Sequence, residues 1–516
     1  GSFGGGYPGF DCILLYLACL TGVEGPLMKR FFSGLSTYGG GIMWRLFLFF
    51  LPITSFPYFP EEFGGGTLVR PLSVYPLIFL CFLVVLPRLI KPIPKTVLSL
   101  APFILAAFAS SLLSLLAGIE PSLGVTVFDR VLRALVTLVI GVAIYLAVAL
   151  TPHSIEELRG ALRWIYAGFS LAYAWGTAQM VYVLHYNHAY FLTLSRIQRL
   201  FSLRKLFPSR ISGMTYEPNW FAEQICFFML PWLLASVLRG YSVFSWRWHK
   251  ITVEWLLLAW SVVLIIFTYS RAGLINMIIL VIFAFLIFSM RKPARKDHHR
   301  SKSSLWFIRI VEACVAVGML VGGIYYAGNK NEFFARIWNY WLENEQTSVE
   351  RYLEYIGFGA RIAYSEAALQ TYTVSPIFGV GLGNYAFYFD EMIPDQPLAR
   401  IPELLKILSP EEGRNRLITV KNFYLRLLAE TGLVGTAAFA VFIVALLGCV
   451  IYLWLSNDTQ QKFWGTGGLL GMLVFAVSAF TFDSFTLPNM WVVFGLITAA
   501  TKIFPQTESM RNNPSP

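Results

Sequence analysis

Long apolar runs, separated by short polar connections, fill most of the chain. A helix needs about 20 mostly apolar residues to cross a bilayer, and twelve runs approach that length. Residues 10–23 form a further run, interrupted near its end by Gly22 and Glu24, which either makes a thirteenth span or lies at the membrane interface. The pattern predicts an all-α polytopic membrane protein with about twelve transmembrane helices. The predicted spans lie near residues 42–57, 72–90, 97–117, 131–150, 161–184, 219–239, 251–268, 272–290, 305–327, 422–455, 463–481 and 487–503.

Basic residues indicate which end of each span faces the cytoplasm. Short connections rich in lysine and arginine stay on the cytoplasmic side. Such connections alternate along the chain, so the remaining ones are predicted to lie outside. The basic positions are 91–95, 159–163, 247–250, 291–302 and Lys462, and the outside connections are 58–71, 118–130, 185–218, the tight turns 269–271 and 482–486, and the long segment 328–421.

The long segment 328–421 is predicted to be a large extracytoplasmic helical loop between the tenth and eleventh core spans, when 10–23 is counted. Its aromatic residues recur at helical spacing, which predicts a helix that lies along the lipid headgroups or packs against the bundle. A second short helix is expected at 398–408. The residues at this spacing are the aromatic Phe333, Phe334, Trp338 and Trp341 together with Ile337. The predicted parts of the chain are N-terminal transmembrane helices (7–209), core helices with arginine motifs (210–327), the loop domain (328–421), and C-terminal transmembrane helices with a cytoplasmic tail (422–516).

The composition excludes a soluble globular protein. Hydrophobic residues make up 56% of the 516 residues and charged residues 13%, whereas soluble domains have about 25% charged residues. The formal net charge is +11, but the basic residues flank spans and do not alternate with aromatic residues, so nucleic-acid binding is not expected. The six cysteines are isolated, and no carboxylate or cysteine accompanies His185 and His188. Neither a metal site nor a cofactor is therefore predicted.

Several charged residues lie where apolar spans end on the outside. Arg271 interrupts the apolar run 255–287, and Asp483 interrupts another. A charge at the centre of a span costs about 2.5–3.5 kcal/mol on insertion scales, so Arg271 is predicted to cap an outer hairpin. Its side chain then faces the bundle or a water-filled cleft, or it extends to lipid phosphates. The starts of two further spans carry Glu217 with Asn219, and Lys421 with Asn422.

Four cations at this outer end indicate an anionic ligand. A guanidinium group binds phosphate oxygens through two parallel hydrogen bonds, and a lysine adds a point charge. The predicted ligand is a lipid that carries a diphosphate, unless these residues are independent loop ends in water. The glycine-rich segment 379–384 either brings backbone N–H groups to an anion or forms a plain turn. The four cations are Arg210, Arg271, Arg361 and Lys421.

Four segments carry motifs of a known family. The first is RISG at 210–213 with EPN at 217–219, and the second is SRAG at 270–273. The third combines Arg361 with SPIFGVGLGNY at 375–385, and the fourth combines NFYL at 422–425 with ETGLVG at 430–435. Together these motifs resemble the O-antigen ligase and Wzy-type O-antigen polymerase superfamily, mainly over residues 210–435.

The resemblance implies a GT-C-type glycosyltransferase that needs neither metal nor cofactor. Its implied donor is a glycan on polyprenyl (undecaprenyl) diphosphate, used at the extracytoplasmic face of the bacterial cytoplasmic (inner) membrane. Arginines would hold the diphosphate leaving group while a hydroxyl of a glycan, lipid or protein acceptor inverts the anomeric carbon. A chain-length regulator is a further candidate partner. We assign catalysis to Arg210, Arg271 and Glu217, and binding of the diphosphate or glycan to Arg210, Arg271, Arg361, Lys421, Asn422, Asn219, Tyr216 and Asp483.

One position departs from the family pattern. Ligases usually have a histidine before the position of Asn422, where this chain has Lys421. An ordinary lysine has a pKa of about 10.4, so it binds phosphate rather than accepting a proton unless its pKa is lowered, and Glu217 is the first candidate for the base. The missing histidine favours polymerisation of lipid-linked repeats over ligation to a lipid A core or a protein. A transporter or flippase for lipid-linked sugars is the alternative of another class, although no internal repeat is detected.

Overall fold

The computed structural model describes residues 39–58, 69–90, 92–249, 251–290, 318, 321–326, 328–329, 331–343, 348–393, 401, 404–405, 408 and 417–512. Helices dominate these ranges, and the two short strands β1 (Arg247–Trp248) and β2 (Ile251–Thr252) pair antiparallel. The helices are α1 (Gly40–Phe49), α2 (Val74–Leu89), α3 (Lys95–Leu115), α4 (Val127–Leu150), α5 (Ile155–Leu184), α6 (His188–Gln198), α7 (Pro218–Arg239), α8 (Val253–Thr268), α9 (Arg271–Ser289), α10 (Glu332–Glu343), α11 (Val349–Tyr355), α12 (Gly359–Val374), α13 (Tyr385–Met392), α14 (Phe423–Leu455), α15 (Thr459–Ser478) and α16 (Pro488–Asn512).

Five helices in the described ranges are long and apolar enough to cross a membrane, namely α3, α4, α7, α9 and α14. The apolar helices α1, α2 and α8 are shorter. The long helices α5, α15 and α16 coincide with three more predicted spans. The prediction of a polytopic helical membrane protein is therefore confirmed, while the number of twelve spans stays a prediction.

Some predicted boundaries differ from the structure. The stretch 42–57 is helical only to Phe49, because Pro52 lacks the N–H that would continue the helix, and a turn follows. In the stretch 305–327, residues 318 and 321–326 are described, and they are helical. The stretch 10–23 and the basic segment 291–302 lie outside the described residues, as does the short helix predicted at 398–408 apart from four of its positions.

Helix α16 forms the centre of the bundle. It packs against α4, α14 and α15, and almost every side chain from Met490 to Ala500 is buried, including Trp491 and Phe494. A helix that is apolar on all faces belongs in an interior. On α15, Gly467 lies directly beneath the indole of Trp232, where a Cβ atom would approach the ring to 2.2 Å. Small residues of this kind let membrane helices approach closely.

The described part of the loop 328–421 is mostly helical, and α10 and α12 are two of the places where it is attached to the bundle. Phe334 of α10 is buried and its ring lies 5.8 Å from that of Tyr269, whereas Trp341 on the same helix is 47% exposed. The aromatic stripe therefore packs partly on the bundle and partly outward. Helix α12 packs on α13 and α14 through small and aromatic residues, among them Ala363, Ala367 and Tyr385.

Helices α7, α9, α14 and α16 begin at the end of the bundle where α8 and α15 terminate. Three hydrogen bonds join these ends: Ile211 N–H donates to Phe267 O, Phe423 N–H donates to Ala479 O, and Asn489 Nδ2 donates to Glu223 Oε1. Residues that are far apart in the sequence thus meet at one end of the molecule, and the candidate site lies there.

Candidate functional site

The segment that carries Arg210 is held in place by a buried glutamine of α5. Gln179 Oε1 accepts hydrogen bonds from Ser212 N–H (2.8 Å) and Gly213 N–H (3.0 Å), and its Nε2 donates to Gly213 O (2.9 Å). Gly213 has a φ of 54° and lies against the ring of Phe221, where a Cβ atom would come within 2.6 Å. This explains the glycine of the RISG motif, since a larger residue fits neither the backbone nor the space.

The guanidinium group of Arg210 connects two other elements of the site. Its Nε donates to Thr268 O (2.9 Å), at the end of α8, and its Nη2 donates to Asn219 Oδ1 (2.9 Å), in the first turn of α7. Burial lowers the pKa of Arg210 to about 10, Glu217 opposes this effect, and the charges of Arg271 and Arg204 add to it. Arg210 therefore remains a cation at neutral pH, held beside other cations where an anion would be stabilised.

Arg271 opens α9, three residues after Thr268, whose carbonyl binds Arg210. Ser270 caps the helix by accepting a hydrogen bond from Gly273 N–H (3.2 Å), and Tyr269 turns the chain with a φ of 49°. Arg271 is partly buried, and its Nη1 donates to the carbonyl of Ile356. A Cβ atom on Gly273 would lie 2.5 Å from Cβ of Ala222, so the first turns of α9 and α7 are in close contact.

Arg361, in the first turn of α12, lies close to Lys421. Arg361 Nη1 donates to Thr481 O (3.1 Å) and is 3.5 Å from Lys421 O. Lys421 has a φ of 58° and an exposed side chain, and Asn422 caps α14 by accepting a hydrogen bond from Leu425 N–H (3.2 Å). The segment from Ile356 to Arg361 therefore connects two pairs of cations, which are Arg210 with Arg271 and Arg361 with Lys421.

Asp483 supports this arrangement from inside the protein. Its Oδ2 accepts a hydrogen bond from Lys421 N–H (2.8 Å), and only 9% of the residue is exposed. Burial alone would raise the pKa of Asp483, but the charges of Lys421 and Arg426 and the hydrogen bond from Lys421 N–H hold that pKa below its ordinary value. Asp483 is thus a buried carboxylate that fixes Lys421, rather than a group open to a ligand.

Glu217 and Tyr216 directly precede α7, and both contact Arg204. Glu217 Oε1 forms an ion pair with Arg204 Nη1 (2.8 Å), and its side chain is 35% exposed. The guanidinium of Arg204 also lies 5.1 Å from the ring centre of Tyr216. Glu217 therefore already has a cation partner in Arg204.

The glycine-rich segment 379–384 contacts α14 instead of an open space. Val380 N–H donates to Ala429 O (3.0 Å), and Gly381 N–H donates to Glu430 O (3.0 Å). These carbonyls are available because α14 is broken at Gly432, whose φ is 62° and ψ is −165°. Both N–H groups are hydrogen-bonded within the protein, so the segment is a structural turn that packs against the break in α14.

Sequence reasoning did not single out five residues that contribute to this end of the bundle. Gln179 holds the Arg210 segment, and Asn489 donates to Glu223 Oε1 at 3.1 Å. The buried ion pair of Arg426 with Glu430 (2.8 Å) supports the start of α14. Glu223 and Glu430 are charges within apolar spans, and Arg426 and Glu430 have helical i,i+4 spacing, so both signals were present in the sequence. No group of three or more His, Cys, Asp or Glu side chains that could hold a metal ion occurs among the described residues.

The family match covers the part of the chain that contains four of the nine predicted site residues. Residues 256–440 match the O-antigen ligase family, and this range includes Arg271, Arg361, Lys421 and Asn422. Arg210, Glu217 and Asp483 lie outside it. No curated protein matches the chain. Over residues 256–440, the resemblance to the O-antigen ligase and Wzy-type polymerase superfamily is thus confirmed, in a polytopic helical membrane protein.

Proposed function

We propose that this protein transfers a glycan from polyprenyl diphosphate to an acceptor hydroxyl at the extracytoplasmic face of the cytoplasmic membrane. One observation carries the proposal: the guanidinium of Arg210 donates to Thr268 O at the end of α8, and Arg271, 61 positions from Arg210 in the sequence, opens α9 three residues after Thr268. Two adjacent cations that are withdrawn from water match a diphosphate better than a single phosphate or a neutral sugar.

The chemistry follows from this placement. When the bond between the anomeric carbon and the diphosphate oxygen breaks, negative charge grows on that oxygen, and fixed cations at this position stabilise the transition state more than the ground state. The start of α9 adds N–H groups and the positive end of a helix dipole. Arg361 and the exposed Lys421 extend the positive surface, and we assign them to binding the diphosphate or the glycan beside it.

The preferred acceptor is a second lipid-linked repeat, so that the reaction is polymerisation. Lys421 supports this choice because it stands where ligases usually have a histidine. The match of residues 256–440 to the O-antigen ligase family supports a second candidate, in which the glycan is transferred to a lipid A core or to a protein. The two candidates share the donor and the cation site, and they differ only in the acceptor.

The test reconstitutes the purified protein in vesicles with a polyprenyl-diphosphate oligosaccharide, with chelator present and no nucleotide. A ladder of lengthening glycans is the expected result, and one discrete conjugate with an added lipid A core or protein would instead identify a ligase. Movement of the lipid-linked donor between leaflets without any new glycosidic bond would refute the proposal in favour of a flippase.

A further inference from the structure

Glu223 differs from the other carboxylates at this end of the bundle. It lies on α7 one helical turn beyond Asn219, so both side chains project from the same face of the helix. Its Oε1 accepts one hydrogen bond, from Asn489 Nδ2 at 3.1 Å. No cation among the described residues forms an ion pair with it within 4.0 Å.

The neighbouring carboxylates are already engaged with cations. Glu217 pairs with Arg204 and Glu430 with Arg426, each at 2.8 Å, while Asp483 accepts the N–H of Lys421. A carboxylate that is paired with a cation or saturated by hydrogen bonds is a poor proton acceptor. Of these four carboxylates, Glu223 is the one that is neither ion-paired with a described cation nor bonded to the N–H of Lys421.

Glu223 lies on a part of α7 whose neighbouring residues contact the elements that carry Arg210 and Arg271. Its neighbour Ala222 contacts the first turn of α9 at Gly273, two positions after Arg271, and Asn219 on the same face binds Arg210. On the other side the charge of Arg361 acts on the Glu223 carboxylate. If Arg210 and Arg271 bind the diphosphate of the donor, the hydroxyl of the acceptor that attacks the glycan would lie close to this carboxylate.

Asn489 orients the carboxylate without saturating it. It is buried to 2% exposure at the start of α16, and its own Oδ1 has no hydrogen-bond partner in the described part of the chain. Buried polar atoms without a partner are rare in folded proteins. The pair of Glu223 and Asn489 thus keeps hydrogen-bonding capacity that a purely structural pair would have used.

We propose that Glu223 is the catalytic base of the transfer, positioned by Asn489. The inference rests on the proposed function and assigns the base to Glu223 instead of Glu217. The acceptor O–H bond breaks and its proton moves to the Glu223 carboxylate, while the acceptor oxygen forms a bond to the anomeric carbon. The bond from that carbon to the diphosphate oxygen breaks, and its electron pair leaves with the lipid diphosphate, which the arginines hold. Glu223 then releases the proton to water.

The test compares variants of the reconstituted full-length protein in the transfer assay and in a donor-binding titration. Glu223→Gln keeps the shape of the side chain and the acceptor for Asn489, but it cannot take up the proton. We expect kcat to fall by about 10²–10⁴-fold, the range for loss of a general base, with donor affinity within about twofold of the wild type. Glu223→Asp should recover part of the lost kcat, and Asn489→Leu should lower kcat by less than Glu223→Gln. Glu366→Gln, on an exposed face of α12, is the matched control.

Each other outcome overturns the inference. A Glu223→Gln variant that transfers glycan within about threefold of the wild type excludes a base at this position, given the size of the effect expected. If Glu223→Gln instead loses donor binding, the residue acts in binding or folding. If Glu217→Gln abolishes turnover and Glu223→Gln does not, the base is Glu217. A wild-type protein that binds the donor but transfers nothing refutes the proposed function itself, which these variant comparisons would not do.

Discussion

Replacing Gln179 by leucine tests whether the buried amide positions Arg210. Leucine has nearly the same volume, but it leaves Ser212 N–H, Gly213 N–H and Gly213 O without the three hydrogen bonds that Gln179 makes. Each such bond contributes about 0.5–1.5 kcal/mol net, so the segment loses about 3 kcal/mol of preference for its present conformation. Because 1.4 kcal/mol corresponds to a tenfold change in affinity, donor binding should weaken by up to about 100-fold.

The assay is a titration of the reconstituted variant with the polyprenyl-diphosphate donor, together with thermal unfolding. Ser170→Ala is the matched control, since Ser170 lies on the same helix and its hydroxyl donates only to Tyr166 O within that helix, at 2.7 Å. The control should bind the donor as the wild type does. Gln179→Leu contradicts the prediction if it binds the donor within about twofold of the wild type, which is a loss of about 0.4 kcal/mol at most. In that case either the segment keeps its conformation without the amide, or Arg210 does not hold the donor.

Three further predictions follow from the site and its supports. Arg271→Ala should lower kcat by about 10²–10³-fold, as the loss of one transition-state donor does, and Arg271→Lys should recover only part of it; transfer kinetics at full activity in Arg271→Ala would contradict the leaving-group role. Because the pKa of Asp483 is lowered in the folded protein, its stabilising contribution is complete at neutral pH and is lost as the pH falls below about 4. Asp483→Asn should therefore unfold at a lower temperature than the wild type at pH 7, and its melting temperature should drop less on acidification. A variant whose melting curves equal those of the wild type at both neutral and acidic pH would disprove this. Gly432→Ala should lower the free energy of unfolding by about 1–3 kcal/mol, because its Cβ atom would lie 2.4 Å from Ile377 O, and an unchanged denaturation midpoint would show that the break in α14 is not needed.

Most of the helical architecture could be predicted from the sequence, because a bilayer requires apolar runs of nearly fixed length. The meeting of Arg210 with Arg271 at one end also followed from simple counting, since alternating spans put every second connection on the same side. The prediction for 42–57 was wrong in length because the apolar run continues past Pro52, so hydropathy alone did not show where the helix ends.

Contacts between side chains could not be predicted in the same way. Asn489 lies 266 positions from Glu223, and no local pattern in the sequence connects them. The same holds for Gln179, whose amide is satisfied by a segment that only the fold brings near. The ion pair of Glu217 with Arg204 joins residues 13 positions apart in an irregular segment, where spacing carries no geometric information.

The five residues Ile225–Met229 of α7 form a π-helical turn, just below Glu223. A regular α-helix rotates by about 100° per residue, and a π-helical turn accommodates one extra residue, which shifts the register of everything on one side relative to the other. The half of α7 that carries Asn219 and Glu223 is therefore rotated about the helix axis relative to the half that carries Trp232 and packs against α15. Removing a single residue from 225–229 would restore a continuous helix and turn the glutamate away from the asparagine, while every amino acid of the site stayed in the chain.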